Sequence, residues 1–105
     1  MADNVQNPAQ VTGKSGSYTG DGSQNRAIPH GLGRIPSLVF VAKTSSNDHN
    51  HTMMSSSPTI LRDINSGVEV TVTSMTAVNF YVGDNLGLTT GGNFNAAVYN
   101  WVAIP

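Results

Sequence analysis

Val68-Glu69-Val70-Thr71-Val72-Thr73, followed after Ser74-Met75-Thr76-Ala77 by Val78-Asn79-Phe80-Tyr81-Val82, alternates apolar and polar residues with a period of two. Successive side chains of an extended strand point to opposite faces, so this pattern builds two half-buried strands. A helix would need apolar residues at i, i+3, i+4 and i+7, and no stretch of the chain repeats them that way. Helix formers are scarce as well, with a single Glu and two Lys in 105 residues. Facing each other as a hairpin through Met75 and Thr76, the two segments would place their valines in one core.

Similar signals recur at short intervals on either side, each bounded by Gly, Pro, Asn or Asp. Strands are expected at Ser15–Thr19, Arg26–Ile28, Ser37–Thr44, Thr52–Ser56, Thr59–Asp63, Val68–Ser74, Ala77–Val82 and Ala97–Ile104. Seven or eight short antiparallel strands in a chain of this length predict one all-β domain, a jelly-roll-like β-sandwich or a small barrel, over residues 13–105. Two of the strands carry apolar residues on both faces: Leu38-Val39-Phe40-Val41-Ala42 and Val98-Tyr99-Asn100-Trp101-Val102-Ala103-Ile104. A thin two-layer domain hides only one face of each. The surplus face therefore meets a partner or lies under a loop. Trp101 is expected to plug the core.

Met1–Thr12 is polar, interrupted by Pro8, and offers only Val5, Ala9 and Val11 for burial. Ordering such a segment costs on the order of 12 kcal/mol of backbone entropy, which needs roughly 500 Å² of apolar burial to offset. Three small side chains do not supply that, so the segment is expected to be an extended arm held by a neighbouring subunit. Val5, Pro8 and Val11 on the arm, with Met53 and Met54 on a central strand, are the candidate interface residues.

Composition excludes several functions. Charged residues make up 10% of the chain and the net charge is −1, with Lys14, Arg26, Arg34, Lys43 and Arg62 scattered singly. A nucleic-acid face needs several cations acting together, so none is expected. No apolar run approaches the roughly 18 residues of a membrane helix, and the N-terminus lacks the basic-then-apolar pattern of a secretory signal. Without Cys there are no disulfides or thiolate metal sites. Gly31-Leu32-Gly33-Arg34-Ile35-Pro36 has Pro36 where a dinucleotide loop has its third Gly, and Asp21-Gly22-Ser23-Gln24-Asn25 lacks the turning Gly and bidentate Glu of a calcium loop. The loop Ser45–His51 gathers Asp48, His49 and His51, residue types that ligate zinc, nickel or copper; four ligands would require a symmetry mate, and solvated loop histidines are commoner. No nucleophile-elbow sequence or paired-carboxylate site stands out. A non-enzymatic chain without metal or cofactor is expected.

Tyr18-Thr19-Gly20-Asp21-Gly22, then Ala27-Ile28-Pro29-His30-Gly31-Leu32-Gly33-Arg34-Ile35-Pro36 leading into Val39-Phe40-Val41, and the closing Tyr99-Asn100-Trp101-Val102-Ala103-Ile104 together resemble a sequence type of small bacteriophage virion proteins. These cover about a quarter of the chain; the middle carries no such likeness. Physically the second motif is an architectural corner: Pro29 ends a strand, Gly31 and Gly33 permit positive φ, Pro36 fixes the next entry, and His30 bonds the turn backbone. The resemblance implies a virion-surface protein assembled in the host cytoplasm. Within that setting it implies a capsid decoration or cement protein, a homotrimer on local threefold axes bridging major capsid protein subunits. The alternative is a tail- or fibre-associated module binding a host-surface glycan or receptor through the loop Asp84–Asn95, with Tyr81, Phe94 and Tyr99 nearby.

Overall fold

The computed structural model describes residues 12–44, 50–83 and 91–105. The expected arm residues Val5, Pro8 and Val11 and the loop residues Asp48 and His49 lie outside them. The described residues form eight strands and no α-helix: β1 (Lys14–Thr19), β2 (Arg26–Pro29), β3 (Leu38–Lys43), β4 (Asn50–Met54), β5 (Ser57–Asp63), β6 (Glu69–Thr71), β7 (Asn79–Val82) and β8 (Val98–Ile104). All pairings are antiparallel. Six strands make one sheet in the order β1-β8-β3-β4-β5-β6, and β2 pairs with β7 in a second, two-stranded sheet. The fold is an all-β sandwich of two unequal layers; the larger sheet stays open, and no barrel closes.

The core lies between the layers. From the larger sheet it takes Tyr18, Tyr99, Trp101, Ala103, Val39, Val41, Met53 and Leu61; from the smaller, Ile28, Phe80 and Val82. Trp101 meets Phe80 edge-on, ring centroids 5.5 Å apart, and this contact joins the two layers. Space for the indole comes from its registered partner on β1, Gly16: a Cβ there would stand 2.8–2.9 Å from three indole atoms. Gly16 is therefore a seat for Trp101 within the expected first strand.

The structure corrects the expected Val68–Val82 hairpin. β6 pairs with β5, whereas β7 pairs with β2 in the other layer. Residues 72–76 follow β5 a little further, Val72 N–H donating to Thr59 O (2.8 Å) and Met75 N–H to Pro58 O (3.1 Å), and then cross between layers. Val72 and Met75 are buried in that crossing, Val70 is half-buried, and Val68 and Val78 are exposed, so only part of the expected valine face reaches the core. Thr73–Ala77 contains no Gly, Asn, Asp or Pro to support a tight turn, and the chain continues extended instead.

The crossing is held by the Pro29–Pro36 corner. His30 is buried; its N–H donates to Val78 O (3.0 Å), its Nδ1 accepts from Leu32 N–H (3.1 Å), and its Nε2 lies 2.9 Å from Thr76 O. Accepting at Nδ1 leaves Nε2 as the donor, so the ring acts as a neutral bridge between two backbone groups. Gly31 and Gly33 have φ of 75° and 73°, which an L side chain adopts only at a cost. Pro29 is exposed, Pro36 is buried, and Ser37 N–H then donates to Ile104 O (2.8 Å), bringing the chain into β3 beside β8.

Gly16→Ala is expected to destabilise the domain by about 1–2 kcal/mol, because displacing a packed indole costs about 1–3 and the strand preference for Ala over Gly returns less than 1. Urea unfolding followed by the fluorescence of Trp101, the single tryptophan, reads it directly. His30→Ala strands the Leu32 N–H and the Thr76 carbonyl and leaves a cavity, so a loss of about 2–4 kcal/mol is expected in the same assay.

Candidate functional site

Cross-strand partners share a face, so the register shows what the larger sheet presents away from the core. On β8 and β3, Ile104 lies opposite Leu38, Val102 opposite Phe40 and Asn100 opposite Ala42. β4 continues the rows with Met54 opposite Leu38 and Thr52 opposite Phe40. The apolar field then runs on to Ile60 on β5. One flank is the hydroxyl row Ser15, Ser17 and Thr19 of β1; the other is Arg62 and Glu69, paired at 3.5 Å.

This face is open among the described residues. Val98, Val102, Ile104 and Met54 keep 41–50% exposure, while Leu38, Phe40 and Ala42 are half-buried by their neighbours. A shallow groove of about 160 Å³ crosses it between Thr52, Met54, Ser57, Ile60, Arg62 and Glu69. β8 explains how such a face arises: its residues alternate strictly, with Tyr99, Trp101 and Ala103 inward and Val98, Val102 and Ile104 outward. Among the described residues the second layer has two strands, and it covers the inner side.

Of the expected interface methionines, Met54 stands on this face with half its surface exposed. Met53 is a correction: it points inward and is 1% exposed, because adjacent strand residues alternate. His51 is corrected likewise. It is the second residue of β4, fully buried, directly opposite the equally buried Asp63 of β5, rather than a loop residue beside His49. Asp63 Oδ1 accepts from the N–H groups of Asn65 and Ser66 and so shapes the β5–β6 turn. Among the described residues no group of three His, Cys, Asp or Glu could hold a metal ion. Nor is any helix there long and apolar enough to cross a membrane.

The described end of the expected ligand loop is fixed by polar packing. Arg26 lies over Tyr18, which stacks on Tyr99 with centroids 5.1 Å apart. Tyr18 OH donates to Gly92 O (2.6 Å), and Tyr99 OH accepts from Phe94 N–H (3.1 Å). Burial pushes both phenols above their ordinary range, keeping them protonated. Between them the buried Asn93 amide donates to Asp21 and to Ser23 O (2.8 and 2.9 Å), while its oxygen accepts from Asp21 N–H and Arg26. Both polar atoms of the Asn93 side chain are used, so this is a brace between the two loops. Nothing in the sequence separates Asn93 from the ten other asparagines. Of the aromatics considered for a ligand, Tyr99 belongs to the core, Tyr81 is half-buried against it, and only Phe94 is exposed, with Lys43 over its ring at 5.7 Å.

Compared with known protein families, characterised proteins and solved structures, the chain matches none. Its function is therefore read from its own surface, where the fold of the described residues leaves the exposed apolar face unexplained.

Asp21 makes the brace sensitive to acid. The Ser23 hydroxyl (2.6 Å) and N–H (2.9 Å), then the Asn93 amide, then the Arg26 guanidinium hold its carboxyl at about 2, below its ordinary 3.8. A carboxylate depressed by folding stabilises above its unfolded value and loses that contribution as pH falls through the folded one. Melting temperature should therefore fall between about pH 4 and pH 2. In Asp21→Asn that fall should be shallower, and a melting series over the interval checks it; solvent exposure of the carboxylate keeps the effect small.

Proposed function

We propose that this chain is a virion structural protein of a bacteriophage, a decoration protein that stabilises the capsid by bridging its subunits. The observation that carries the reading is the open apolar field of Leu38, Phe40, Val102, Ile104 and Met54, framed by hydroxyls and one paired pair of charges. A solvated protein of this size rarely leaves such a contiguous field to water, and apolar surface rimmed by polar residues marks an association site. The sequence resemblance at Tyr18–Gly22, Ile28–Pro36 and Tyr99–Ile104 supplies the setting, that of small phage virion proteins. In that setting many weak contacts repeated over a lattice bind strongly together, even though each is weak alone.

The neutral character of the molecule supports the same task. A net charge of −1 and an uncharged, Ser-, Thr- and Asn-rich surface give little electrostatic steering, which an enzyme working on an ionic substrate would use. Attachment through residues 1–12 completes the proposal, with the arm's ordering entropy offset only when it is docked.

The test is direct. Added to expanded capsids lacking it, the full chain is expected to bind saturably and to raise the capsid melting temperature by several degrees. Removing residues 1–12 should leave the β circular dichroism unchanged and weaken attachment at least tenfold. Saturable binding to one sugar on a glycan array, with no capsid binding, would replace the decoration reading by the receptor-binding alternative.

A further inference from the structure

The outer face of the larger sheet has a candidate occupant within the chain itself. Residues 1–11 lead into β1 at the apolar corner of that face. Lys14 pairs with Ala103 on β8; the next residue of β8, Ile104, pairs with Leu38 on β3, and Leu38 pairs with Met54 on β4. A turn onto the face falls at Gly13, which shares the outward parity of Ser15 and Ser17 and has no side chain to stand in the way.

The spacing of the segment matches that of the strands beneath it. Side chains two apart on an extended chain point the same way, so Val5, Asn7, Ala9 and Val11 share one side, and Gln6, Pro8 and Gln10 the other. Strands stand about 4.8 Å apart and an extended chain rises about 3.3 Å per residue. Crossing the strands from Thr12 therefore brings Val11 to Ile104 and carries Ala9 about 10 Å out, to Leu38 two strands from β1. Val5 falls about 23 Å out, over Ile60 and the groove beside Arg62 on β5, which stands about 19 Å from β1. Asp3, the single charged side chain of the segment, follows on the Arg62 flank.

The face also supplies the burial that the segment lacks. Val5, Ala9 and Val11 alone fall short of the roughly 500 Å² that ordering requires, but burial counts both partners. Met54, Val102 and Ile104 keep 41–50% of their surface exposed, with Leu38, Phe40 and Ile60 half-buried beside them. A tethered segment loses no translational freedom on docking, which a separate partner would. Set against the ordering cost, this leaves a narrow margin, so the contact holds in the free chain and yields to a larger apolar surface.

We propose that residues 1–11 lie extended across the outer face of their own domain, with Val11 at Ile104, Ala9 at Leu38 and Val5 at Ile60, and mask the apolar field until a capsid surface displaces them. The inference rests on the reading of this face as an association surface and names what covers it before attachment. Displacement frees the segment and the field together, so both become available to the shell at once.

The chain has no Cys, so an introduced pair reports the contact without interference. Val5→Cys with Ile60→Cys, kept at low micromolar concentration with oxidised glutathione, is expected to close an intramolecular disulfide at least about tenfold faster than Val5→Cys with Val78→Cys. Val78 is exposed and lies outside the face, so the second pair measures random encounter of the tethered segment. Met54→Cys replaces Ile60→Cys if that variant fails to fold. Equal rates for the two pairs, or disulfides that join two chains, overturn the proposal; the latter would put a neighbour's segment on the face. Locked by its disulfide, the Val5→Cys/Ile60→Cys chain is expected to bind expanded capsids at least about tenfold more weakly than the same protein after reduction. Equal binding of the two forms overturns the masking role. Fast closure with no capsid binding in either form removes the virion function alone, and slow closure in a chain that binds capsid removes the mask alone.

Discussion

Trp101 seated over Gly16 and against the edge of Phe80 is the contact on which the architecture depends. It ties the larger sheet to the smaller through one side chain, and it sits on β8, the strand that also joins β1 to β3. The inward side of β8 is spent on this contact and on the Tyr99–Tyr18 stack, so its outward valines and isoleucine have no second layer to meet. Core and surface are thus set by the same seven residues. A larger residue at position 16 would disturb both, because it would push the strand whose other side forms the candidate interface.

The eight strands were legible because each carries a local signal: period-two alternation, or an apolar run between turn residues. The order of the strands was not. That β3 and β8 lie side by side, and so fuse their two outer apolar rows into one field, is a pairing across about 60 residues that no local pattern encodes. The misjudged Val68–Val82 hairpin has the same origin. Two alternating segments close in sequence suggest a pair, but the chain between them lacks turn chemistry, and their better partners, β5 and β2, lie elsewhere.

The candidate site was half legible for a related reason. Double-faced apolarity in Leu38–Ala42 and Val98–Ile104 announces surplus hydrophobic surface, and the register shows where it goes. Strand parity, applied to Asn50-His51-Thr52-Met53-Met54, separates inward His51 and Met53 from outward Thr52 and Met54, but parity is visible only once the strand's start is fixed. Gly16 and Asn93 carried no signal at all. A glycine between serines and one asparagine among many acquire meaning only from Trp101 and from the Asp21–Arg26 brace that surround them.

β8 also imposes an order on biosynthesis. β1 and β3 leave the ribosome long before the strand that lies between them, so until β8 appears each keeps an exposed edge where β8 will later pair. At about 5–20 residues per second the roughly 55 residues separating β3 from β8 take several seconds to appear, long compared with the microseconds in which a hairpin forms. Until then β3 has only β4 beside it, and Lys14 near the rim of β1 is the kind of charge that discourages edge-to-edge association of nascent chains. The apolar field of Leu38, Phe40, Val102 and Ile104 is complete only once β8 is in place beside β3.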